Sequence, residues 1–125
     1  MIGYITIGTN DFERSVKFFD ELMAVMGEKR LWGTDSIAAW GLTGNEPSLC
    51  VTKPFDECSA TIGNGVMIAL KVNSRKEVDA VHAKAIELGG KDEGAAGPRG
   101  TGGFYGGYFR DLDGNKFNAY IPKGA

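Results

Sequence analysis

The feature that most constrains the fold of this chain is an internal repeat, in which residues 4–27 and 67–90 share one pattern. Each copy opens with alternating apolar and polar residues, the period of a half-buried strand, and continues with apolar residues at helical spacing. Gly27 ends the first helical stretch and Gly89-Gly90 ends the second, because glycine commonly stops a helix. A shift of 63 positions superimposes the copies without a gap. The sequence therefore predicts two equivalent strand–helix–strands modules.

Helix start signals strengthen the repeat. Asn10 with Glu13, and Ser74 with Glu77, have the spacing of a capping box, which satisfies backbone N–H groups at a helix N-terminus. We predict helices over residues 12–26 and 75–88. Their apolar stripes are Phe12, Val16, Phe19, Met23 and Met26 in the first helix, and Val78, Val81, Ala85 and Leu88 in the second.

Further strands are expected after each helix. They are predicted at residues 28–32, 36–42 and 47–53 in the first module, and at 104–111 and 116–121, with a weak strand at 91–93, in the second. The pair Asp113-Gly114 indicates a tight hairpin turn between the last two strands. The glycine-rich residues 94–103 are predicted to form a loop, which is either a lid over a ligand or a flexible connector.

Composition excludes several classes of function. The net charge of -2, with a pI near 5.4 and no basic cluster longer than Lys29-Arg30, argues against a nucleic-acid partner. No apolar run approaches the roughly 20 residues of a membrane span, and the N-terminus lacks the pattern of a signal peptide. Cys50 and Cys58 do not make a disulfide framework. We therefore expect a cytoplasmic protein with a small-molecule ligand and no membrane or nucleic-acid partner.

Three segments resemble the vicinal oxygen chelate superfamily of glyoxalase I, bleomycin-resistance proteins and extradiol dioxygenases. They are residues 5–19, 78–90 and 108–117. The resemblance implies a single α+β domain of two βαβββ modules, at about 1–58 and 63–125. It further implies that their sheets form an open half-barrel, with helices on the convex side and the ligand inside, and that the protein is a homodimer. Because this fold hosts many chemistries, the resemblance specifies the fold more closely than the function.

The strand sequences indicate that each sheet has two different faces. One face is aliphatic and suits burial under a helix, as with Ile5 and Ile7 on the first strand. The other is small, polar or aromatic, as in a ligand pocket, although alternation alone also fits a face in solvent. Aromatic residues there could equally pack as core, and either Trp32 or Trp40 could reach the cavity. We predict a ligand cavity lined by Tyr4, Cys50, Met67, Asn118, Tyr108, Tyr120, Trp40 and Arg99, of which Arg99 could meet an anionic ligand.

The residues at the positions of the family's metal ligands are unsuited to a metal. Metal-dependent relatives carry His, Gln or Glu on the first and fourth strands of each module. Here the resemblance maps those positions to Tyr4, Met67, Cys50 and Asn118. Only the cysteine is a strong donor for zinc or a similar ion. The single histidine, His82, is predicted to lie on or beside the packing stripe of the second helix. We therefore predict no metal and no other cofactor.

Two functions remain as hypotheses. The first is a metal-free binding protein that sequesters or carries a small planar or aromatic compound in the cavity. The second is a lyase or dioxygenase of the glyoxalase or extradiol type with an altered metal site, so enzymatic activity is left open and no catalytic residue is named. A nucleophilic role for Cys50 would require a cation or base, with Lys71 and Lys116 as candidates, and an inert buried thiol is the favoured reading. A pure interaction domain is a third reading.

Overall fold

The computed structural model describes residues 1–122 and contains one strand, one helix and three strands, twice in succession. The elements are β1 (Tyr4–Gly8), α1 (Phe12–Val25), β2 (Lys29–Gly33), β3 (Ile37–Gly41), β4 (Ser48–Thr52), β5 (Ile68–Lys71), α2 (Arg75–Glu87), β6 (Lys91–Arg99), β7 (Phe104–Arg110) and β8 (Lys116–Ile121). This order confirms the α+β class and the two βαβββ modules. The chain divides into two compact units, Met1–Ile62 and a second that begins at Gly63.

The first unit is a four-stranded sheet in the order β1-β4-β3-β2, with α1 packed against β2, β3 and β4. The β1–β4 pair is parallel and the other two pairs are antiparallel. Phe19 of α1 is fully buried, and its ring centroid lies 5.7 Å from that of Trp40 on β3. Leu49 and Val51 of β4 are buried on the same side. The helix therefore covers the aliphatic face of the sheet, as the alternation predicts.

The second unit repeats this arrangement, with strand order β5-β8-β7-β6 and α2 packed against β6, β7 and β8. Phe109 and Phe117 are fully buried and stack with ring centroids 5.5 Å apart. His82 of α2 meets Phe109 edge-on. These contacts identify the helix-facing side of the second sheet. Within residues 1–122, neither helix has the length and apolar character that crossing a membrane requires.

The starts of the two helices differ from each other. Ser74 caps α2 as predicted and accepts from the Glu77 N–H at 3.1 Å, while the Glu77 carboxylate accepts from the backbone N–H of Asn73 rather than from that of Ser74. For α1 the prediction of Asn10 is wrong, because the capping side chain is that of Asp11. The Asn10 side chain is instead engaged with the backbone N–H and carbonyl of residue 60. That contact leaves the next residue to cap the helix.

The buried stripe of α1 is also displaced from the predicted one. Its buried residues are Ser15, Phe18, Phe19, Leu22 and Met23. Only Phe19 and Met23 of the predicted stripe are among them. Apolar residues occupy two overlapping stripes of this helix, so spacing alone does not select the one that faces the sheet. In α2, the predicted Val78, Val81 and Ala85 are buried.

The glycine-rich segment is the main correction to the predicted fold. Residues 94–99 are not a loop or a lid, because they belong to β6, which pairs with β7 along its length. A turn occupies only residues 100–103. The register of β6 shifts twice, between Asp92 and Gly94 and between Gly94 and Gly97. Such bulges break the alternation by which a strand is recognised in sequence, so the sequence indicates only residues 91–93 of this strand.

Candidate functional site

The candidate site residues of the first unit are best located by the register of its sheet. Thr6, Cys50, Ala39 and Trp32 are successive partners across β1, β4, β3 and β2. Paired residues project from the same face of a sheet, so these four side chains form one row on the face opposite α1. Tyr4 lies on the same face of β1 and is 68% exposed.

Trp40 lies on the other face, away from this row. Its indole Nε1 donates to the Asp20 carboxylate of α1 at 2.9 Å, and the residue is 1% exposed. This core position does not support Trp40 as a cavity residue. Trp32, the alternative to Trp40, lies on the face opposite α1, because the register shifts between Arg30 and Trp32. A single bulge residue reverses the face of every residue beyond it, and nothing in the alternation shows where it falls.

The thiol of Cys50 has low reactivity in this row. The residue is 2% exposed, and burial raises the pKa of its thiol above the ordinary value, although a hydrogen bond with the Thr6 side chain opposes this. A thiol that stays protonated is a poor nucleophile and a poor metal ligand. The environment therefore favours the inert thiol over the nucleophile.

The second unit brings together five of the predicted residues. Ala69, Asn118, Tyr108 and Gly94 are successive partners across β5, β8, β7 and β6. They form a row on the face opposite α2, since Phe109 and Phe117 occupy the helix-facing side. We call this surface the open face of the second sheet. It also holds Tyr120 and Arg99, by the same register, and Met67, which directly precedes β5.

Tyr108 is the centre of the open face of the second sheet. The Arg99 guanidinium carbon lies 5.4 Å from the centroid of its ring, and the Lys116 ammonium lies 5.8 Å from it. A Cβ on Gly94 would lie 3.3 Å from both the Tyr108 ring and the Arg99 guanidinium. Glycine at this position therefore lets the ring and the cation sit close to the strand. Nearby, the Tyr120 ring stacks on that of Phe104, with centroids 5.4 Å apart.

Arg99 is held by backbone carbonyls rather than by an acid. Its Nη1 donates to the carbonyl of Gly97 at 3.0 Å and makes a longer contact to that of Pro98, while Nη2 donates to the carbonyl of Ala95. In residues 1–122 no carboxylate forms an ion pair with it. Glu93, by contrast, already pairs with Arg110 at 2.7 Å. The Arg99 charge is thus oriented but not neutralised.

Asn118 supplies the clearest sign of a missing partner. The residue is 2% exposed, and its side-chain Oδ1 is buried with no hydrogen-bond partner among residues 1–122. A buried acceptor without a partner costs roughly 1–3 kcal/mol. Such atoms are exceptional in folded proteins and require an explanation. Because this oxygen has almost no exposed surface, a bound molecule would satisfy it with an N–H or O–H group only by displacing the side chain that covers it.

The family's metal does not fit the residues that stand at its ligand positions. Tyr4 and Met67 offer a phenol and a thioether, and Asn118 offers a neutral amide. The protonated thiol of Cys50 adds no anionic donor. Among the described residues, no three His, Cys, Asp or Glu side chains cluster in a way that could hold a metal ion. Hard cations and zinc need anionic or imidazole ligands, so this donor set is inadequate.

His82 has the structural role predicted for it. It is buried on α2, and its Nε2 lies 3.1 Å from the Asp92 carboxylate and 3.1 Å from the carbonyl of Tyr108. A Cβ on Gly107 would come within 3.0 Å of the imidazole. The imidazole therefore packs where α2 lies close to β6 and β7, on the face of the sheet opposite to the Tyr108 ring.

A hollow that the sequence did not indicate lies beside the start of α1. It has a volume of about 350 Å³ and is lined by Thr9, Asn10, Phe12, Lys53, Pro54, Glu57, Cys58 and Ser59. None of the predicted site residues contributes to it. Its residues come from the ends of strands and from the segment after β4, where no periodic pattern reports proximity. It contains both charge signs and an exposed thiol. In the part of the chain that the structure describes, two buried side-chain atoms have no hydrogen-bond partner, and neither belongs to a residue lining this hollow.

Comparisons with known proteins agree on one family. The sequence profile of the Glyoxalase/Bleomycin resistance protein/Dioxygenase superfamily matches residues 1–119. The crystal structure of a glyoxalase/bleomycin resistance protein from Albidiferax ferrireducens T118 is similar over 98% of both chains, with 32% identity and a TM-score of 0.89. A hypothetical protein from S. aureus is 26% identical, with a TM-score of 0.72 over 98% of this chain and 93% of that one.

A more distant structure shares the fold alone. The fosfomycin resistance protein FosX from Listeria monocytogenes, complexed with Mn(II) and sulfate ion, is 17% identical with a TM-score of 0.71. The similarity covers 99% of this chain and 91% of that one. No curated protein sequence matches the chain.

Proposed function

Because this chain belongs to the glyoxalase/bleomycin resistance protein/dioxygenase superfamily, we propose that it binds a small planar or aromatic compound on the sheet faces opposite its helices, without a metal. The observation that carries the proposal is the unpartnered Oδ1 of Asn118, buried beside Tyr108 on the open face of the second sheet. A face that merely met solvent would leave its polar atoms hydrated. A buried acceptor next to aromatic rings is instead typical of a ligand pocket.

The ligand's shape follows from the rings on these faces. Tyr108, Tyr120 and Phe104 lie on the open face of the second sheet, and Trp32 and Tyr4 lie on the corresponding face of the first. Aromatic side chains bury large areas against flat partners and favour stacked or edge-on contacts. Trp32 is 49% exposed and Tyr4 is 68% exposed, so both rings have surface to offer.

A thermal-shift screen tests the binding. The panel contains aromatic acids and amides, antibiotics and glutathione conjugates, each applied to protein purified without a tag. A compound at 100 times its dissociation constant adds roughly 2.7 kcal/mol to the unfolding free energy, which is about 10 °C in Tm for a chain of this size. The replacement Tyr108→Leu should abolish the shift. The control Phe55→Leu removes a fully exposed ring in the first unit and should leave the shift unchanged.

Elemental analysis of the same protein tests the absence of a metal. We expect well below one equivalent of any transition metal. Stoichiometric nickel, zinc, iron or manganese would overturn this part of the proposal and favour a lyase or dioxygenase with an altered metal site. If no compound of the panel shifts the midpoint of the wild-type protein, the binding function is refuted.

The remaining expectations belong to the same proposal. We propose that the two modules form a single domain and that the chain forms a homodimer in the cytoplasm. Light scattering should then give twice the chain mass of 13.4 kDa. Free thiols at both Cys50 and Cys58 are compatible with a reducing compartment. Fractionation of cells that express the natural gene tests the location directly.

A further inference from the structure

We propose that the ligand of the open face of the second sheet is an anion, a planar compound whose carboxylate, phosphate or phosphonate group is bound by Arg99 and Lys116 while its ring stacks on Tyr108. This inference rests on the proposed function and adds the chemical class of the ligand. It is carried by the charges of this face, by the way Arg99 is held, and by the unpartnered Oδ1 of Asn118.

The charge of the open face of the second sheet is strongly unbalanced. Lys71, Lys91, Arg99, Arg110 and Lys116 project from its strands by register. Lys91 lies 4.0 Å from the Glu93 carboxylate. Arg110 is neutralised by Glu93, with its Nε 2.7 Å from that carboxylate. Lys116 influences Glu93 only weakly, since the Arg110 hydrogen bond is the main cause that lowers the pKa of Glu93 and Lys116 is the last. Three cations therefore remain without an ion pair among the described residues.

Arg99 is prepared to bind a planar oxyanion. Its contacts to three backbone carbonyls fix the guanidinium and leave at least two of its five N–H groups for another acceptor. The guanidinium is a rigid fork that matches the geometry of carboxylate and phosphate groups. Holding it with neutral carbonyls keeps the full charge available.

The distances place both cations around one ring. Arg99 and Lys116 each lie within 6 Å of the Tyr108 centroid, which limits the separation of their charged atoms to about 11 Å. A benzoate-sized molecule stacked on this ring would bring its charged group within reach of either cation. Asn118, the strand partner of Tyr108, would accept from a donor on the same molecule. An anion with a neighbouring O–H or N–H group satisfies all of these groups at once.

Matched pairs of ligands test the inference by calorimetry at low salt. The probes are benzoate against benzamide, and 2-naphthoate against 2-naphthamide, with phenylphosphonate as a second oxyanion. We expect each carboxylate to bind at least ten-fold tighter than its amide. In Arg99→Gln this ratio should fall close to one while the affinity of the amide stays the same. Lys116→Gln should reduce the ratio as well, and it serves as the second variant if Arg99→Gln does not fold.

The structure provides a matched control on the other face of the same unit. Arg75 lies 4.9 Å from the ring centroid of Tyr105, which itself bonds to Asp79 of α2. Arg75→Gln removes the same charge from a similar pair and should leave both affinities unchanged. If it lowers the ratio as much as Arg99→Gln does, general electrostatics explain the preference and the inference fails.

The remaining outcomes separate the inference from the function on which it rests. Equal binding of carboxylate and amide to the wild-type protein would leave a planar-ligand protein and refute the anion. Failure of every planar probe, charged or neutral, together with a silent thermal-shift panel, would instead remove the binding function itself. Binding of phenylphosphonate but not of the carboxylates would identify the oxyanion as phosphonate or phosphate.

Discussion

Replacement of Asn118 by valine should make the ligand-free protein more stable and the binding of its ligand weaker. The residue is 2% exposed, and its Oδ1 has no partner. Removing such an acceptor relieves about 1–3 kcal/mol. Overpacking this closed site with a leucine costs about 1–3 kcal/mol, which cancels the gain. We therefore expect a net change near zero for Asn118→Leu and a net gain of about 1 kcal/mol for Asn118→Val, whose smaller side chain overpacks the site less.

Urea denaturation of the ligand-free protein measures the first half of this prediction. The midpoint should rise with an unchanged m-value, which separates a stability change from a change in compactness. Thermal unfolding should show an increase of about 4 °C, the shift expected for 1 kcal/mol in a chain of this length. Calorimetry with a compound found in the screen measures the second half, as a loss of affinity of ten-fold or more.

A second buried oxygen supplies the control. Ser15 of α1 is also 2% exposed with an unpartnered Oγ, but it lies in the core beneath the helix. Ser15→Ala should stabilise the protein by about 1 kcal/mol, partly through helix propensity, and should leave ligand affinity unchanged. If Asn118→Leu and Asn118→Val both destabilise the ligand-free protein by 1 kcal/mol or more, the acceptor has an internal partner and the reasoning is refuted.

Three further predictions test the fold around the site. In Trp40→Phe the remaining tryptophan, Trp32, is 49% exposed and should emit at long wavelength and be quenched by acrylamide. In Trp32→Phe the remaining Trp40 is 1% exposed and should be shielded from the quencher. Similar quenching of the two variants would contradict the assigned faces. Asp20→Ala should lower the unfolding free energy by about 1–3 kcal/mol in urea, because Trp40 loses its acceptor, and a change below 0.5 kcal/mol would argue against that bond. Burial raises the pKa of Asp20, but the hydrogen bonds from Arg30 and Trp40 outweigh burial and lower it overall. The stabilisation by the Asp20 carboxylate is therefore present above the unfolded pKa near 3.9 and is lost as pH falls through the folded pKa. The stability difference between wild type and Asp20→Asn should therefore shrink below pH 4, and a difference that grows there would contradict the assignment.

The fold was predictable because the information lies in short-range periodicity. The alternation of Ile5 and Ile7, the Ser74 cap and the apolar stripe of α2 each report local structure. The repeat then doubles the evidence for each element. The repeat is offset by one residue at the helix ends, because α2 is one residue shorter than α1 and the glycine with a left-handed backbone after it is Gly89 rather than Gly90. A Cβ at Gly90 would instead lie 2.7 Å from two carbonyl oxygens, so Gly90 is required there by close packing.

The candidate site was predictable only where no bulge intervenes. Cys50, Asn118, Tyr108 and Tyr120 lie on regularly paired strands, and their faces follow from alternation. Trp32 and Arg99 lie on strands with shifted registers, so alternation does not select Trp32 rather than Trp40 for the face opposite α1, and it does not show that Arg99 belongs to a strand. A bulge depends on which pairing buries more apolar surface, which is a property of two strands and not of one. The carbonyls that hold Arg99 are likewise created by the bulged strand.

The duplicated modules show why the fold is easier to infer than the ligand. Thr6 pairs with Cys50 in the first sheet as Ala69 pairs with Asn118 in the second. Thr6 and Ala69 are related by the shift of 63 positions, so their strand partners Cys50 and Asn118 are equivalent in the two modules. The helix-facing sides of both sheets are apolar, because burial there stabilises each unit. The opposite faces carry no such constraint, and they have diverged to a neutral row around Cys50 and a cationic one around Tyr108. Chemistry on these faces can therefore change while the fold stays the same, and it has to be determined from the individual side chains of each module.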